Sequence, residues 1–481
     1  MQFEVSGLNG GGKGMSQVQL FQTIMEEVKR IVRWDGFDEN RVSEAVKRLI
    51  ASIDVVKLHY LENCVGCGAC GPSCPYYYVD EKYSPANKAE ETRRIYRKKL
   101  TIAGMILGPL VEAKLPRNEK DLDKIVEFAY RCTNCGACYT ACPFGIDSGV
   151  LVKLMKGFST VVGRVPTILA FFEAIERLRV YKEIPALMRA WKDVIDQVNK
   201  ELGRTIELDR KGAKVLYLPT LMDVISYPKA VIATAKLLDK LGLDWTMPSE
   251  PIGVRPPIAV VIGLSDKAKT VLRRIYEYIE SIGPEMVVLI DGGFVYPLLR
   301  FELPSNLNVK PRFRVVHVTE LLAESLEKGK LMLKQTEDKV TWHPPCQMTR
   351  RGGVTVEPEY VLELVSKDFR KLPHHGLESY CCGGGGGIGC ITFELIENMA
   401  KMIGVDANLL ISGEKEHKFI EETEKAYKVA LKRKIDDIKR SGAEIVVTAC
   451  PTCIRTIMLG ARLYGVNVKV LHIMEYLYDK I

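Results

Sequence analysis

Trp342-His343-Pro344-Pro345-Cys346, followed downstream by Tyr380-Cys381-Cys382 and an unbroken run of glycine from Gly383 to Gly387, is the stretch that decides how this chain is read. So many glycines lose much backbone entropy on folding and bury almost nothing, so such a run persists where backbone must approach something closely. A thiolate-bound metal cluster is the obvious candidate. Cys450-Pro451-Thr452-Cys453 supplies two more sulfurs, and Cys346 and Cys450 each stand at the end of an apolar, β-branched run that reads as a buried strand. The five cysteines 346, 381, 382, 450 and 453 are therefore expected to converge on one centre.

Working upstream, Cys64, Cys67, Cys70 and Cys74 precede Pro75, and Cys132, Cys135, Cys138 and Cys142 precede Pro143. Both are C-x-x-C-x-x-C-x-x-x-C-P, in which three thiolates grip one [4Fe-4S] cubane and the fourth ligates the other. The spacing assigns Cys64, Cys67, Cys70 and Cys142 to the first cubane, and Cys132, Cys135, Cys138 and Cys74 to the second. Structural zinc is the alternative, but its four-ligand sites separate the cysteine pairs more widely.

The chain has 481 residues, 47% hydrophobic and 27% charged, and this marks a folded protein of two or three domains. Fourteen cysteines grouped in C-x-x-C units read as metal ligands in a reducing compartment rather than as a disulfide scaffold. A formal charge of +8, partly cancelled by cluster thiolates, implies no nucleic-acid partner. No apolar run approaches the roughly 20 residues of a bilayer span. Membrane association is therefore expected through a partner, with the protein cytoplasmic and peripheral to the inner face of the membrane.

Gly7 to Gly14 touches the phosphate-loop pattern but has Gly14 where Ser or Thr is needed, so it reads as a leader, with Met15 an alternative start. Helical periodicity is predicted over Gln17 to Val32 and Glu44 to His59. The basic stretch Arg93 to Lys99 reads as a solvated helix face. Helices are predicted over Leu151 to Phe158, Thr167 to Leu178 and Ile184 to Val198.

From Lys214 onward strands and helices alternate, and three segments recur in order. Lys214–Pro219 matches Lys339–Pro344, Glu285–Val288 matches Glu444–Val447, and Val316–Glu320 matches Leu471–Glu475. The expected fold is an α+β multidomain protein: an all-helical bacterial ferredoxin-like two-[4Fe-4S] domain, then a duplicated α/β domain whose first repeat lacks cysteines. Boundaries are set at 1–60 for a helical leader, 61–150 for the two-cubane domain, 151–210 for a helical connector, and 211–335 and 336–481 for the two repeats. On these anchors Leu221 stands opposite Cys346, Asp291 opposite Cys450 and Phe294 opposite Cys453, so the first repeat is expected to wall the cleft without holding a cluster. Glu414 to Arg440, rich in lysine and glutamate, has no counterpart in the first repeat and reads as a solvated helix.

One cysteine after a strand, a Cys-Cys-Gly and a Cys-x-x-Cys, with two ferredoxin-type motifs upstream, resemble the cysteine-rich CCG domain family. The architecture is similar to the D-type catalytic subunit of heterodisulfide reductase. Asp244 to Glu250 and the glycines after Cys382 are most similar to the K-subunit branch, from the membrane redox complex associated with dissimilatory sulfite reduction, and to archaeal menaquinol-linked relatives. Two features depart from the family: the interval from Cys382 to Cys450 is long, and Cys390 is an additional thiol that reads as a packing residue.

The resemblance implies a third iron–sulfur cluster, [4Fe-4S] or unusual, on Cys346, Cys381, Cys382, Cys450 and Cys453. It implies an oxidoreductase that reduces or forms a disulfide- or trisulfide-type bond in a thiol substrate or small sulfur-carrier protein. Electrons would come from a membrane quinol-oxidising cytochrome b-type subunit and other subunits of a redox complex. The alternative is an electron-relay subunit of a flavin-dependent glycolate, lactate or glycerol-3-phosphate dehydrogenase complex. Since cubanes deliver electrons singly and an S–S bond takes two, an iron with an open position suits the task. His343 and Asp291, at strand ends beside the expected cleft, are the candidate proton donors. His374 and His375 read as loop residues.

Overall fold

A computed structural model describes residues 17–253 and 258–481. The glycine-rich stretch Gly7 to Gly14 and Met15 lie outside the described residues. The first predicted helix spans Gln17–Ile31 and lies on Thr167–Leu178, with the Phe21 and Phe171 rings 6.3 Å apart. The second is two helices rather than one, Glu39–Ala51 and Val55–Glu62. The reason is local: the Asp54 carboxylate accepts from Lys57 N at 2.9 Å, and that cap starts a new helix inside the apparent period.

The basic stretch Arg93 to Lys99 lies within helix Pro85–Leu100, but only part of it faces solvent. Arg93 is buried, donating to the carbonyls of Ala86 and Tyr60, and Ile95 and Tyr96 are buried beside it. Helices Ser148–Val161, Thr167–Leu178 and Pro185–Leu202 follow, longer than the periodicity suggested at both ends of the first and at the C-terminus of the last.

The α/β part has two four-stranded, wholly parallel sheets. The first contains β1 (Val215–Tyr217), β2 (Trp245–Thr246), β3 (Met286–Leu289) and β4 (Arg314–His317), in the order β2-β1-β3-β4. The second contains β5 (Thr336–Trp342), β6 (Ser366–Phe369), β7 (Ile445–Thr448) and β8 (Lys469–His472), in the order β6-β5-β7-β8. The three recurring segments fall on β1 and β5, β3 and β7, and β4 and β8, and even the register repeats. Leu289 pairs with His317 as Thr448 pairs with His472. Each histidine then caps the following helix in a reciprocal box with Glu320 or Glu475.

The two sheets meet at their strand ends. His317 and His472 both bring Nε2 to 3.0 Å from the Ile290 carbonyl. Burial lowers their pKa values to about 4 and about 3, so both rings are neutral. Gly292 N donates to Ala449 O at 2.6 Å, joining the β3 turn to the β7 turn.

Glu414 to Arg440 departs from the solvated helix predicted for it. It forms most of helix Gly413–Ser441, which buries Phe419, Ile420, Tyr427, Leu431 and Ile435 along one stripe. Glu416 accepts from the backbone and hydroxyl of Thr167, both at 2.6 Å, and Arg131 Nη1 donates to Thr423 at 2.9 Å. The helix is thus a strut between the second sheet and the helical part. Its charges hid an apolar stripe of helical period.

Candidate metal centre

Cys346 ends the turn after β5 and caps the short helical segment Gln347–Arg351. Cys450 ends the turn after β7, and Cys453 lies in the first turn of helix Pro451–Leu463. Two neighbouring parallel strands therefore deliver three sulfurs to one edge of the sheet, and Cys381 and Cys382 reach the same place on the glycine-rich loop. Cys381 Sγ is in hydrogen-bonding contact with the sulfurs of Cys346, Cys382 and Cys135. Cys382 and Cys453 are 3.5 Å apart, and Cys453 touches Cys450. All but Cys346 are buried. Hydrogen bonds from Cys381 and Cys453, then His343, hold the Cys382 thiol well below its usual range.

The glycine run does stand where backbone approaches closely, but the near neighbours are protein atoms. Gly386, at φ +62°, would bring a Cβ to 2.6 Å from Cys132 O and 2.8 Å from Lys156 Nζ. A Cβ on Gly384 would stand 2.3 Å from the Thr456 hydroxyl. What the glycines approach is the Cys132–Thr133 backbone of the upstream motif, as well as the helix behind Cys453.

In the upstream region Cys70 lies in electrostatic range of Cys64 and Cys142, the grouping the spacing assigned to the first cubane. Cys67 is exposed in the same loop. Cys74, Cys132, Cys135 and Cys138 line one small pocket, the grouping assigned to the second. Cys135 also faces Cys381, so this pocket and the five-cysteine centre touch through sulfur. Hydrogen bonds with Cys381, and then Arg350, hold the Cys135 thiol well below its usual range.

A cavity of about 120 Å³ opens beside the centre. Cys346, Cys382, Cys390, Cys450 and Cys453 line it from one side, Met222, Asp291 and Phe294 from the first sheet. Asp291 Oδ1 accepts from Gly293 N at 2.6 Å, and a Cβ on Gly293 would stand 3.0 Å from Cys450 Sγ. His343 is buried with Cys382 and Cys453, their ligand atoms within 4.8 Å of one another, and the Cys382 sulfur is the one partner near its ring nitrogens among the described residues. Burial lowers its pKa to about 4 despite Cys382 beside it. His374 lies apart, between Asp437 at 2.9 Å and the Tyr380 hydroxyl at 2.7 Å, and His375 binds the Leu372 carbonyl.

Sequence reasoning missed the cations around the sulfurs, three buried lysines and the partly buried Arg350. Lys88 Nζ is 3.2 Å from Cys74 Sγ. Lys156 Nζ donates to Cys132 O at 2.9 Å and Gly386 O at 2.6 Å, tying the two centres together. Arg350 donates to Cys135 O at 2.9 Å and lies in the field of Cys135, Cys346 and Cys381. Lys434 donates to Ser379 Oγ at 3.1 Å and pairs with Asp437. A signal existed: Lys88, Lys156 and Lys434 interrupt otherwise inward-facing stripes of their helices. These cations fit the anionic clusters that groups of thiolates would build, and the buried, mutually close sulfurs supply the donor set.

Residues 60–146 match the 4Fe-4S dicluster domain family, and residues 340–413 and 417–458 match the cysteine-rich (CCG) domain family. Such a pairing defines an iron–sulfur oxidoreductase with two [4Fe-4S] clusters and a further iron–sulfur cluster in its cysteine-rich unit. The chain is 25% identical over 399 residues to the Hdr-like menaquinol oxidoreductase iron-sulfur subunit 2 of Archaeoglobus fulgidus, covering 72% of this chain and 70% of that one. It is 24% identical over 422 residues to the D-type subunit of the dihydromethanophenazine:CoB–CoM heterodisulfide reductase of Methanosarcina acetivorans, covering 85% and 91%. The Hdr-like menaquinol oxidoreductase iron-sulfur subunit of Archaeoglobus profundus is 24% identical over 392 residues, covering 70% and 69%. The chain is thus an iron–sulfur protein carrying a 4Fe-4S dicluster domain and a cysteine-rich CCG domain, and it is similar over most of its length to heterodisulfide reductase D subunits.

Proposed function

We propose that this chain is the subunit of a redox complex in which electrons pass between the two cubanes and the cysteine-rich centre, where an S–S bond of a substrate is cleaved or formed. The observation that carries the reading is the contact of Cys135 with Cys381 beside a cavity shared by both sheets. It supports a second cubane held by Cys132, Cys135, Cys138 and Cys74 next to a third cluster held among Cys346, Cys381, Cys382, Cys450 and Cys453. The first cubane would be held by Cys64, Cys67, Cys70 and Cys142, with Cys67 at the surface. When bound, the third cluster supplies electrons one at a time and an iron with affinity for sulfur.

The reaction balances as one disulfide plus two electrons and two protons giving two thiols, and it is reversible. This chain's residues supply the setting. Arg350, Lys156 and Lys434 offset the negative charge of the thiolates, and His343 stands against Cys382 and Cys453 to orient them. Asp291 has its carboxylate at the cavity wall, positioned to hold a proton for the departing thiolate. Met222 and Phe294 keep the same wall apolar. In this reading 211–335 is a CCG-like repeat without ligands, 336–481 the working one, 61–150 the two-cubane domain, and 1–60 and 151–210 helical additions. The names of the relatives support further subunits of a redox complex as partners, and the reading extends this to a quinol-oxidising cytochrome b-type subunit at the inner face of the membrane.

Electron paramagnetic resonance of the purified protein tests this. Beyond two ordinary cubanes, oxidation should raise a third signal that a thiol substrate perturbs, and Cys382→Ala should remove that signal together with disulfide-linked turnover. A spectrum indifferent to every thiol, or activity that survives Cys382→Ala with a co-purifying flavin subunit, would make the unit an electron relay instead.

A further inference from the structure

The helix Ile102–Leu107 and the turn Gly108–Val111 after it carry the most exposed apolar surface of the helical region, with Ile102 78% exposed, Ile106 76% and Leu110 85%. The segment is held firmly rather than loosely. A Cβ on Gly104 would stand 2.0 Å from Arg97 O, so the short helix lies directly against Pro85–Leu100, and Lys98 Nζ donates to Met105 O at 3.3 Å. Between positions 97 and 117 the chain carries Arg97, Lys98, Lys99, Lys114 and Arg117 against the single carboxylate of Glu112.

Next to it, a groove of about 610 Å³ runs between helix Glu39–Ala51 and residues 115–117. Val46, Ile50 and Leu115 line it, with Lys47, Lys99 and Arg117 among its charged residues and Glu39 the carboxylate. Lys47, Lys99 and Arg117 make no salt bridge among the described residues, whereas their neighbours Arg48, Arg97 and Lys114 each do. Lys99 belongs to both features. A fixed apolar prominence beside unpaired cations at an apolar groove is complementary to an interface that is apolar inside and anionic outside.

We propose that this face docks directly on an anionic lipid bilayer, with Ile102, Ile106 and Leu110 entering the headgroup boundary and a lipid phosphate held by Lys47, Lys99 and Arg117. No described helix is long and apolar enough to cross a membrane, so the contact is peripheral. It stands apart from the sulfur chemistry. Lys88, beside Cys74, and Leu100, beside the apolar turn, lie on one helix at a separation of roughly 18 Å, from the helical rise per residue. The apolar turn therefore stands well away from Cys74.

Co-sedimentation of the purified full chain with phosphatidylcholine vesicles, with and without phosphatidylglycerol, tests the proposal. Binding is expected only with phosphatidylglycerol, weakened by salt. It should fall on the order of a hundred-fold when Lys47, Lys99 and Arg117 are all changed to Ala, at about five-fold per cation. Ile106→Asp with Leu110→Asp should lower it about as far, while iron content and melting temperature stay unchanged, since every altered side chain is exposed. Absence of binding to the anionic vesicles overturns the proposal. So does vesicle binding that survives both sets of changes, and so does loss of assembly with a membrane subunit in the variants of a protein that ignores lipid, which would give the face to a protein partner.

Discussion

The two α/β units share strand order, register and even the histidine that caps the helix after the last strand, yet they do opposite things with their strand ends. After β3 the turn offers Asp291, Gly292, Gly293 and Phe294, whereas after β7 the same turn offers Cys450, Pro451, Thr452 and Cys453. After β1, Leu221 is fully buried in the core where Cys346 faces the cavity after β5. The frame therefore does not specify the chemistry. It brings strand ends together, and the side chains placed there decide whether the edge becomes an apolar wall or a thiolate cluster. Among the described residues only the second unit has a long helix of this kind, Gly413–Ser441, and Arg350 and the buried Lys434 stand beside its sulfurs. A cluster of thiolates needs compensation that an apolar wall does not.

The comparison breaks most severely at Gly386. Gly386→Ala places a Cβ against Cys132 O and Lys156 in a left-handed backbone, and the combined strain and overpacking should cost about 3 kcal/mol or more. Chemical denaturation should report that loss, and iron analysis a deficit in the second and third clusters. The next test concerns the histidine that has no match in the first unit, where Leu218 occupies the position of His343. His343→Leu should lower turnover by about 10–100-fold, as loss of outer-shell partners does, with iron content largely kept. Steady-state kinetics beside iron analysis separates this from simple cluster loss.

The long helix can be tested through Glu416, whose pKa burial raises to about 7 despite hydrogen bonds from Thr167 and Ser412. Its carboxyl is protonated more readily in the folded than in the unfolded chain. The stability this contributes is fully present below the free value of 4.5, lost as pH rises toward 7 and gone above it. Urea unfolding from pH 5 to 8 should show a decline of about 1–3 kcal/mol that Glu416→Gln abolishes. The smallest effect is expected from Phe294→Cys, which writes the Cys453 position into the first unit. Without partners at Leu221 and Asp291 it should bind no additional iron, and elemental analysis should match the parent protein.

Much of this molecule was written locally. The two C-x-x-C-x-x-C-x-x-x-C-P runs fix their chemistry by spacing, because a short loop can wrap only so many irons. The repeat was legible because buried parallel strands are short apolar runs bounded by turns, and three of them recurred in order. Helix ends were less legible. Asp54 splits one apparent helix into two through a single cap, and periodicity does not register so local a contact.

Residue type and spacing along the chain already identify which side chains offer thiolates and which unit carries them. Thiolate chemistry depends on residue type and near-neighbour spacing, both visible along the chain. Long-range packing alone brings Cys135 to Cys381, lays the glycine run against Cys132 and Thr133, and gathers Lys156, Arg350 and Lys434 around the sulfurs. These are contacts between residues far apart in the chain, and they exist because packing an apolar stripe of one helix against two sheets leaves those side chains one place to go.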